Sequence, residues 1–104
     1  MVPKYDLGDV VRLARSLDKI VLSRRAEQDR LNMEYEMTDV QDCIATLAVE
    51  DFVGTEDYPN YSVDKYRIRY QLDHKQVHDN LFIKLFISSS GQLTLTLCSF
   101  HMDR

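Results

Sequence analysis

Three cations at alternate positions give this chain its clearest chemical signal. Lys65, Arg67 and Arg69 alternate with apolar residues, so a strand here would place all three cations on one face. Lys84, from the next apolar segment, would join them on that face. Such a group of cations can bind phosphates, and guanidinium groups can do so bidentately. The alternative is the solvated polar side that any half-buried sheet carries.

Aromatic residues close to these cations extend the same prediction. Tyr58, Tyr61 and Phe82 lie near the basic segments in the sequence. Aromatic rings beside phosphate-binding cations can stack on unpaired bases, which is how proteins recognise single-stranded RNA. Together the two features predict a surface for single-stranded RNA.

His101 is the candidate for proton transfer, because an imidazole can act as a general base or a general acid near neutral pH. It lies at the end of the last predicted strand. By strict alternation it would share the face of Leu93, Leu95 and Leu97, which we expect in the core. A role in a site requires that the strand twist or bulge before His101. The pattern alone leaves both interpretations open.

Other catalytic signatures are missing from the sequence. It contains no glycine-rich phosphate loop, no CxxC or HExxH motif and no nucleophile elbow. His74 and His78 have a metal-ligand spacing, but they lie in a predicted loop without a second ligand pair, which favours a solvated loop. We therefore expect no metal and no cofactor. Cys43 and Cys98 lie far apart inside apolar segments, so we expect no disulfide.

Size and charge point to one small domain spanning residues 1–104. The net charge of −4 is uneven: residues 1–57 hold 7 Lys and Arg against 13 Asp and Glu, whereas residues 58–104 hold 6 against 4. A basic half can bind anions although the whole chain is acidic, because salt screens charges beyond about 10 Å. No apolar run approaches the ~20 residues of a membrane span, and the start has no signal-peptide core. We expect a soluble cytoplasmic protein without membrane contact.

Helical spacing dominates the first half of the chain. Asp6 is expected to cap a helix that runs to about Leu17, and Ser23 to cap a second helix. Thr38 or Asp39 is expected to cap a third, in which apolar residues recur from Val40 to Ala48. Lys19–Ser23, between the first two helices, could form a short strand.

Gly54 is expected to end the helical half, and residues 55–62 to form a polar turn. Strands are then predicted at Val63–Leu72, Leu81–Ile87 and Gln92–His101, the last two joined by a hairpin loop. Helices followed by a meander of strands predict an α+β domain, with the N-terminal helices packed on one face of a small antiparallel sheet.

Short segments along the chain also carry a family resemblance. They are Lys4-Tyr5-Asp6-Leu7 with Val10 and Val11, Asp39-Val40 to Leu47, Glu50-Asp51-Phe52, Asp64-Lys65-Tyr66, Phe82-Ile83-Lys84 and Ser99-Phe100-His101. In order and spacing they resemble the MqsR-type toxins, the ribonucleases of bacterial type II toxin–antitoxin modules. The resemblance implies a RelE-like two-layer fold.

For function, the resemblance implies metal-independent cleavage of single-stranded mRNA, which inhibits translation and growth, and a cognate antitoxin protein as partner. It implies catalytic roles for Tyr66, Lys84 and His101. The residues expected to bind RNA are Lys65, Arg67, Arg69, Tyr58, Phe82 and Arg104.

This sequence departs from the family at four positions. Gly54, Val63, Phe82 and His101 stand where the family usually has Lys, Gln, Tyr and Lys. Of these replacements, only His101 can still transfer a proton. The alternative function is therefore a catalytically weak or inactive protein of the same fold that acts by binding antitoxin or RNA.

Overall fold

The computed structural model describes residues 2–89 and 91–103. Within them, three helices accompany one mixed five-stranded sheet. The helices are α1 (Leu7–Ala14), α2 (Arg24–Asn32) and α3 (Met37–Ala45), with short 3-10 turns at Leu17–Lys19 and Val49–Asp51. The strands are β1 (Ile20–Leu22), β2 (Phe52–Asp57), β3 (Ser62–Tyr70), β4 (Asp79–Ser88) and β5 (Thr94–Met102), in the spatial order β1-β5-β4-β3-β2.

Side-chain caps fix the starts of the helices, two of them as predicted. Asp6 accepts a hydrogen bond from the Asp9 amide at 3.1 Å, and Ser23 accepts one from the Ala26 amide at 3.1 Å. The prediction for α3 was wrong by two or three residues, because Glu36 is its N-cap. Asp39 instead completes a capping box, its carboxylate accepting from the Glu36 amide at 2.8 Å.

The predicted meander is confirmed, and two further strands extend it. β3, β4 and β5 pair antiparallel in sequence order. β1, in the segment expected to be extended, pairs parallel with β5, so the sheet is mixed rather than wholly antiparallel. β2 was not predicted: Gly54 lies inside this strand, which pairs antiparallel with β3 around a bulge at Val53.

The hydrophobic core lies between the helices and one face of the sheet, as expected for an α+β domain. We call this the inner face and the opposite one the outer face. Alternate residues of β3 and β4 are buried in the inner face, while the predicted basic residues of β3 lie on the outer face. The fully buried side chains from the sheet include Tyr66, Leu81, Ile83, Leu85, Leu95, Leu97 and Phe100, and those from the helices include Val10, Val40, Cys43 and Ile44.

A bulge in β5 decides which residues reach the outer face. Leu97 pairs with Leu85 and Ser99 pairs with Lys84, so Cys98 is an extra residue between two pairs. After the bulge the alternation is reversed, and Phe100 enters the core with no exposed surface. His101 is therefore directed to the outer face. The strict alternation that predicted its burial fails at Cys98.

Asp64 ties the N-terminal segment to the sheet. Its fully buried carboxylate accepts hydrogen bonds from the amides of Lys4 (3.1 Å) and Tyr5 (2.8 Å) and from the Thr55 hydroxyl (2.6 Å). Three donors offset the cost of burying a carboxylate. The resemblance matched Asp64 by position, and the structure gives this residue an anchoring role.

Among the helices of the described residues, none is long and apolar enough to cross a membrane.

Candidate functional site

Three side chains from neighbouring strands form a row across the outer face. Arg67 on β3 pairs with Phe82 on β4, which pairs with His101 on β5. The Arg67 guanidinium carbon lies 5.5 Å from the centroid of the Phe82 ring, and the Phe82 and His101 centroids are 5.6 Å apart. The ring of Phe82 thus stands between a permanent cation and an imidazole.

A hydrogen bond orients the His101 ring. Its Nδ1 lies 2.8 Å from the carbonyl oxygen of Met102. Because a carbonyl oxygen only accepts, Nδ1 carries the hydrogen and donates it, and Nε2 of the neutral ring holds the lone pair. Nε2 is thereby available to take a proton from a substrate.

Helix α2 supplies the second wall of this site. A cleft of about 330 Å³ is lined by Arg25 and Asp29 from α2 together with Arg67, Phe82, His101 and Asp103; we call it the reaction cleft. The helix is fixed there by its N-cap, since the Ser23 hydroxyl donates to the Cys98 carbonyl at 3.0 Å and the Ser23 amide donates to the Leu97 carbonyl at 2.9 Å. The cap and the bulge thus place α2 beside His101.

Arg25, Asp29 and Asp103 were not singled out from the sequence. Arg25 and Asp29 are four residues apart, which puts them on one face of α2. Their spacing was readable, but the chain gives no sign that this helix lies beside the end of β5. Asp103 follows the last strand and carries no motif of its own.

Asp29 has an unusual environment in the reaction cleft. Its Oδ2 atom is buried and has no hydrogen-bond partner among the described residues. A buried carboxylate oxygen without a donor is costly. A hydrogen-bond donor on a bound molecule would remove that cost.

The cation of the row is already paired within the protein. The Nε atom of Arg67 donates to Oδ2 of Asp103 at 3.0 Å. Asp103 is held in place by its own amide, which donates to the Asn80 carbonyl at 2.7 Å. The pair is partly exposed, with 57% of the Arg67 side chain and 28% of the Asp103 side chain accessible, so its net stabilisation is small.

A second polar group lies on the outer face nearer β2. Glu56 accepts from the Lys84 ammonium at 3.1 Å and from the Tyr58 hydroxyl at 2.8 Å. The Tyr58 and Lys84 hydrogen bonds hold the pKa of the Glu56 carboxyl below its usual range. Lys65 is the cross-strand neighbour of Lys84 on the same face.

The residues predicted for catalysis are not brought together. His101 lines the reaction cleft, whereas Lys84 is on the same face but bound to Glu56. Tyr66 lies on the inner face with no exposed surface, and its hydroxyl has no partner among the described residues. The alternation that puts Arg67 on the outer face puts Tyr66 in the core. It cannot reach a substrate at His101 without unfolding of the sheet.

Most of the residues predicted to bind RNA lie on or beside the outer face. Lys65, Arg67, Arg69 and Phe82 all lie on the outer face. Tyr58 stacks on Tyr61 with centroids 5.0 Å apart, beside the same face. Arg104 lies outside the described residues.

Among residues 2–89 and 91–103, no group of three or more His, Cys, Asp or Glu side chains is arranged to hold a metal ion. His74 and His78 are both exposed in the loop between β3 and β4.

Comparison with known proteins adds no assignment, since no protein-family model and no curated protein matches this chain.

Proposed function

We propose that the protein is a metal-independent endoribonuclease that cleaves single-stranded mRNA, the toxin of a type II toxin–antitoxin module of the MqsR type. The observation that carries the proposal is the reaction cleft itself, where His101 presents a free Nε2 beside the cations Arg25 and Arg67. A base and two guanidinium groups in one cleft supply a proton acceptor and charge stabilisation, both of which transesterification of RNA uses.

In the proposed reaction, Nε2 of His101 removes the proton of a ribose 2′-hydroxyl. The 2′-oxygen attacks the adjacent phosphorus, and the bond from phosphorus to the 5′-oxygen breaks. The imidazolium returns its proton to that leaving oxygen, which leaves a 2′,3′-cyclic phosphate and a 5′-hydroxyl. Arg25 and Arg67 stabilise the negative charge that develops on the phosphorane oxygens.

The same proposal includes a cytoplasmic setting and a cognate antitoxin. The first half of the chain, which supplies the helices, carries the acidic excess. Only Ala26 of α2 is buried, and Leu31 is 52% exposed. The solvent-exposed side of α2 therefore offers a surface for a partner next to the reaction cleft.

A specific observation favours the alternative, a weak or inactive nuclease that binds RNA or antitoxin. Two outer-face cations are neutralised within the protein, Lys84 by Glu56 and Arg67 by Asp103. Loss of one stabilising donor of this kind costs a nuclease about 10²–10³ in rate. A protein in which both pairs persist when RNA is bound would cleave that RNA poorly.

The experiment is cleavage of a single-stranded RNA by the purified protein in EDTA, with the chemical nature of the new ends determined. We expect 2′,3′-cyclic phosphate ends from the wild type and from His74→Ala, a matched control at an exposed histidine. His101→Ala should lack this activity. Salt-dependent RNA binding without cleavage by the wild type would support the alternative and reject the nuclease.

The cellular counterpart tests the toxin role. Expression of the chain alone should stop growth, and co-expression with the neighbouring gene should restore it. Growth arrest by His101→Ala equal to that of the wild type would contradict a mechanism based on RNA cleavage.

A further inference from the structure

A second and larger cleft adjoins the reaction cleft. Its volume is about 490 Å³, and both clefts fall in the range of about 300–1,000 Å³ typical of small-molecule sites. Its lining includes Asp51, Arg67, Arg69, Asn80 and Asp103. Arg67 and Asp103 line both clefts. Their ion pair is therefore the boundary between the two.

The Asp103 carboxylate occupies the position that a phosphate would take on Arg67. A carboxylate and a phosphate present the same kind of acceptor oxygens to a guanidinium. The carboxylate is placed there by the fold, since the Asp103 amide is bonded to Asn80 and the Asp103–Arg67 distance is 3.0 Å. The partly exposed pair is weak enough to be exchanged for a better anion.

We propose that a phosphodiester replaces the Asp103 carboxylate on Arg67, so that the two nucleotides it joins enter the two clefts, one on each side. The inference rests on the proposed function and names its substrate unit, a dinucleotide step of single-stranded RNA. It also gives Asp103 the role of a resident anion that competes with substrate.

The groups of the larger cleft suit the second nucleotide. Arg69 and Asn80 are cross-strand partners on the outer face, and both are exposed. The Asn80 amide offers two donors and an acceptor to a base edge or a ribose, and Arg69 offers a guanidinium to the next phosphate along the strand.

Binding of a dinucleotide whose 2′-hydroxyl is methylated tests the inference, because this ligand cannot be cleaved by attack of that hydroxyl. We expect Asp103→Asn and Asp103→Ser each to bind it about 10-fold more tightly than the wild type. Asp18→Asn is the matched control. It makes the same charge change at an exposed residue two positions before β1, whose first residue pairs near the other end of β5. It should change the affinity by less than about 2-fold.

Two further variants locate the effect. Arg67→Ala combined with Asp103→Asn should lose the gain, because the guanidinium that the phosphate needs is then missing. Asn80→Ala should weaken the dinucleotide several-fold and leave binding of a 3′-mononucleotide unchanged. Thermal melts of each variant confirm that it is folded.

Unchanged dinucleotide affinity in folded Asp103→Asn and Asp103→Ser would overturn the inference. So would a gain that survives in the Arg67→Ala background. Neither result bears on the proposed function, which is tested by cleavage by the wild type and the loss of cleavage in His101→Ala.

Discussion

His101 is the cross-strand partner of Phe82, and the centroids of the two rings lie 5.6 Å apart on the outer face. The pairing exists because Cys98 is an extra residue in β5. Without that bulge His101 would occupy the inner face, which Phe100 now fills. A single backbone irregularity thus separates a core residue from a candidate base.

Replacing His101 with alanine should remove activity and spare the fold. We expect cleavage to fall by about 10²–10⁴-fold, the usual contribution of a general base. The free energy of unfolding should change by less than about 1 kcal/mol, because the ring is half-buried and contacts the outer face rather than the core. Cleavage assays and denaturant titrations measure the two quantities. Full cleavage by a folded His101→Ala protein would contradict the assignment.

Tyr66→Phe should leave activity unchanged and raise stability. The substitution removes a buried hydroxyl that has no partner among the described residues, so we expect a gain of about 1 kcal/mol. If Tyr66 were catalytic, the protein would instead lose most of its cleavage activity on the same change. The cleavage assay thus decides between the catalytic role that the resemblance implies and the core role that the fold gives.

Tyr66 also makes the free energy of unfolding depend on pH in the alkaline range. Burial raises the pKa of Tyr66 to about 12, above the value of ~10 for a phenol in the unfolded chain. Between these values the native state holds the proton and the unfolded state does not. Ionisation of the tyrosine in the unfolded chain therefore leaves the free energy of unfolding unchanged below pH ~10 and lowers it as the pH rises towards 12. Tyr66→Phe should show a smaller loss than the wild type over this range in denaturant titrations.

Arg69→Ala should reduce the salt dependence of RNA binding. Each phosphate neutralised on a single strand contributes about −0.7 to the slope of log affinity against log salt, so the slope should become shallower by about that amount. Arg15→Ala removes an exposed cation just after α1 and should leave the slope unchanged. Equal slopes in wild type and Arg69→Ala would show that Arg69 is solvated in the complex.

The two thiols should differ in reactivity. Cys43 is fully buried, and burial raises its pKa to about 12, so almost no reactive thiolate is present at neutral pH. Cys98 is half-buried at the bulge, and its pKa is also raised by burial. A thiol reagent should modify Cys98 slowly in the native protein and Cys43 only on unfolding. Rapid labelling of Cys43 in a native Cys98→Ser protein would contradict the packing of α3.

Glu34→Gly should stabilise the protein. Glu34 follows the C-cap of α2 with φ at 60°, and the Tyr35 amide bonded to the Arg30 carbonyl at 3.1 Å completes a Schellman motif. A residue with a side chain pays about 1–2 kcal/mol for the left-handed conformation. Glycine avoids this cost, but it loses more conformational entropy on folding, which offsets part of the gain. We expect a net gain of about 0.5–1 kcal/mol. Glu34→Ala is the control, since it removes the same carboxylate and keeps the strain.

Much of the fold could be predicted because hydrophobic periodicity changes once along the chain. The alternation of β3 and the caps Asp6 and Ser23 are local signals, and the structure confirms them. β2 was missed because its residues, Phe52–Asp57, are half polar and contain Gly54. Only pairing with β3, which is a tertiary contact, makes this segment a strand.

The candidate site was predicted in part for the same reason. Side chains on one strand, such as Arg67 and Arg69, share a face by local geometry alone. Whether His101 lies on the same face depends on the bulge at Cys98, and no residue type in this segment predicts a bulge. Arg25 and Asp29 enter the cleft only because the Ser23 cap docks α2 on β5.

The position of β5 has a consequence for synthesis of the protein. Of the five strands in this sheet, β5 is made last, yet it lies between β1 and β4 and carries His101. Until residues 94–102 have left the ribosome, β1 has no neighbour and α2 has nothing to anchor its first turn. The nascent chain therefore cannot assemble the reaction cleft. Under the proposed function, the protein can cleave RNA only after the ribosome has translated its message past β5.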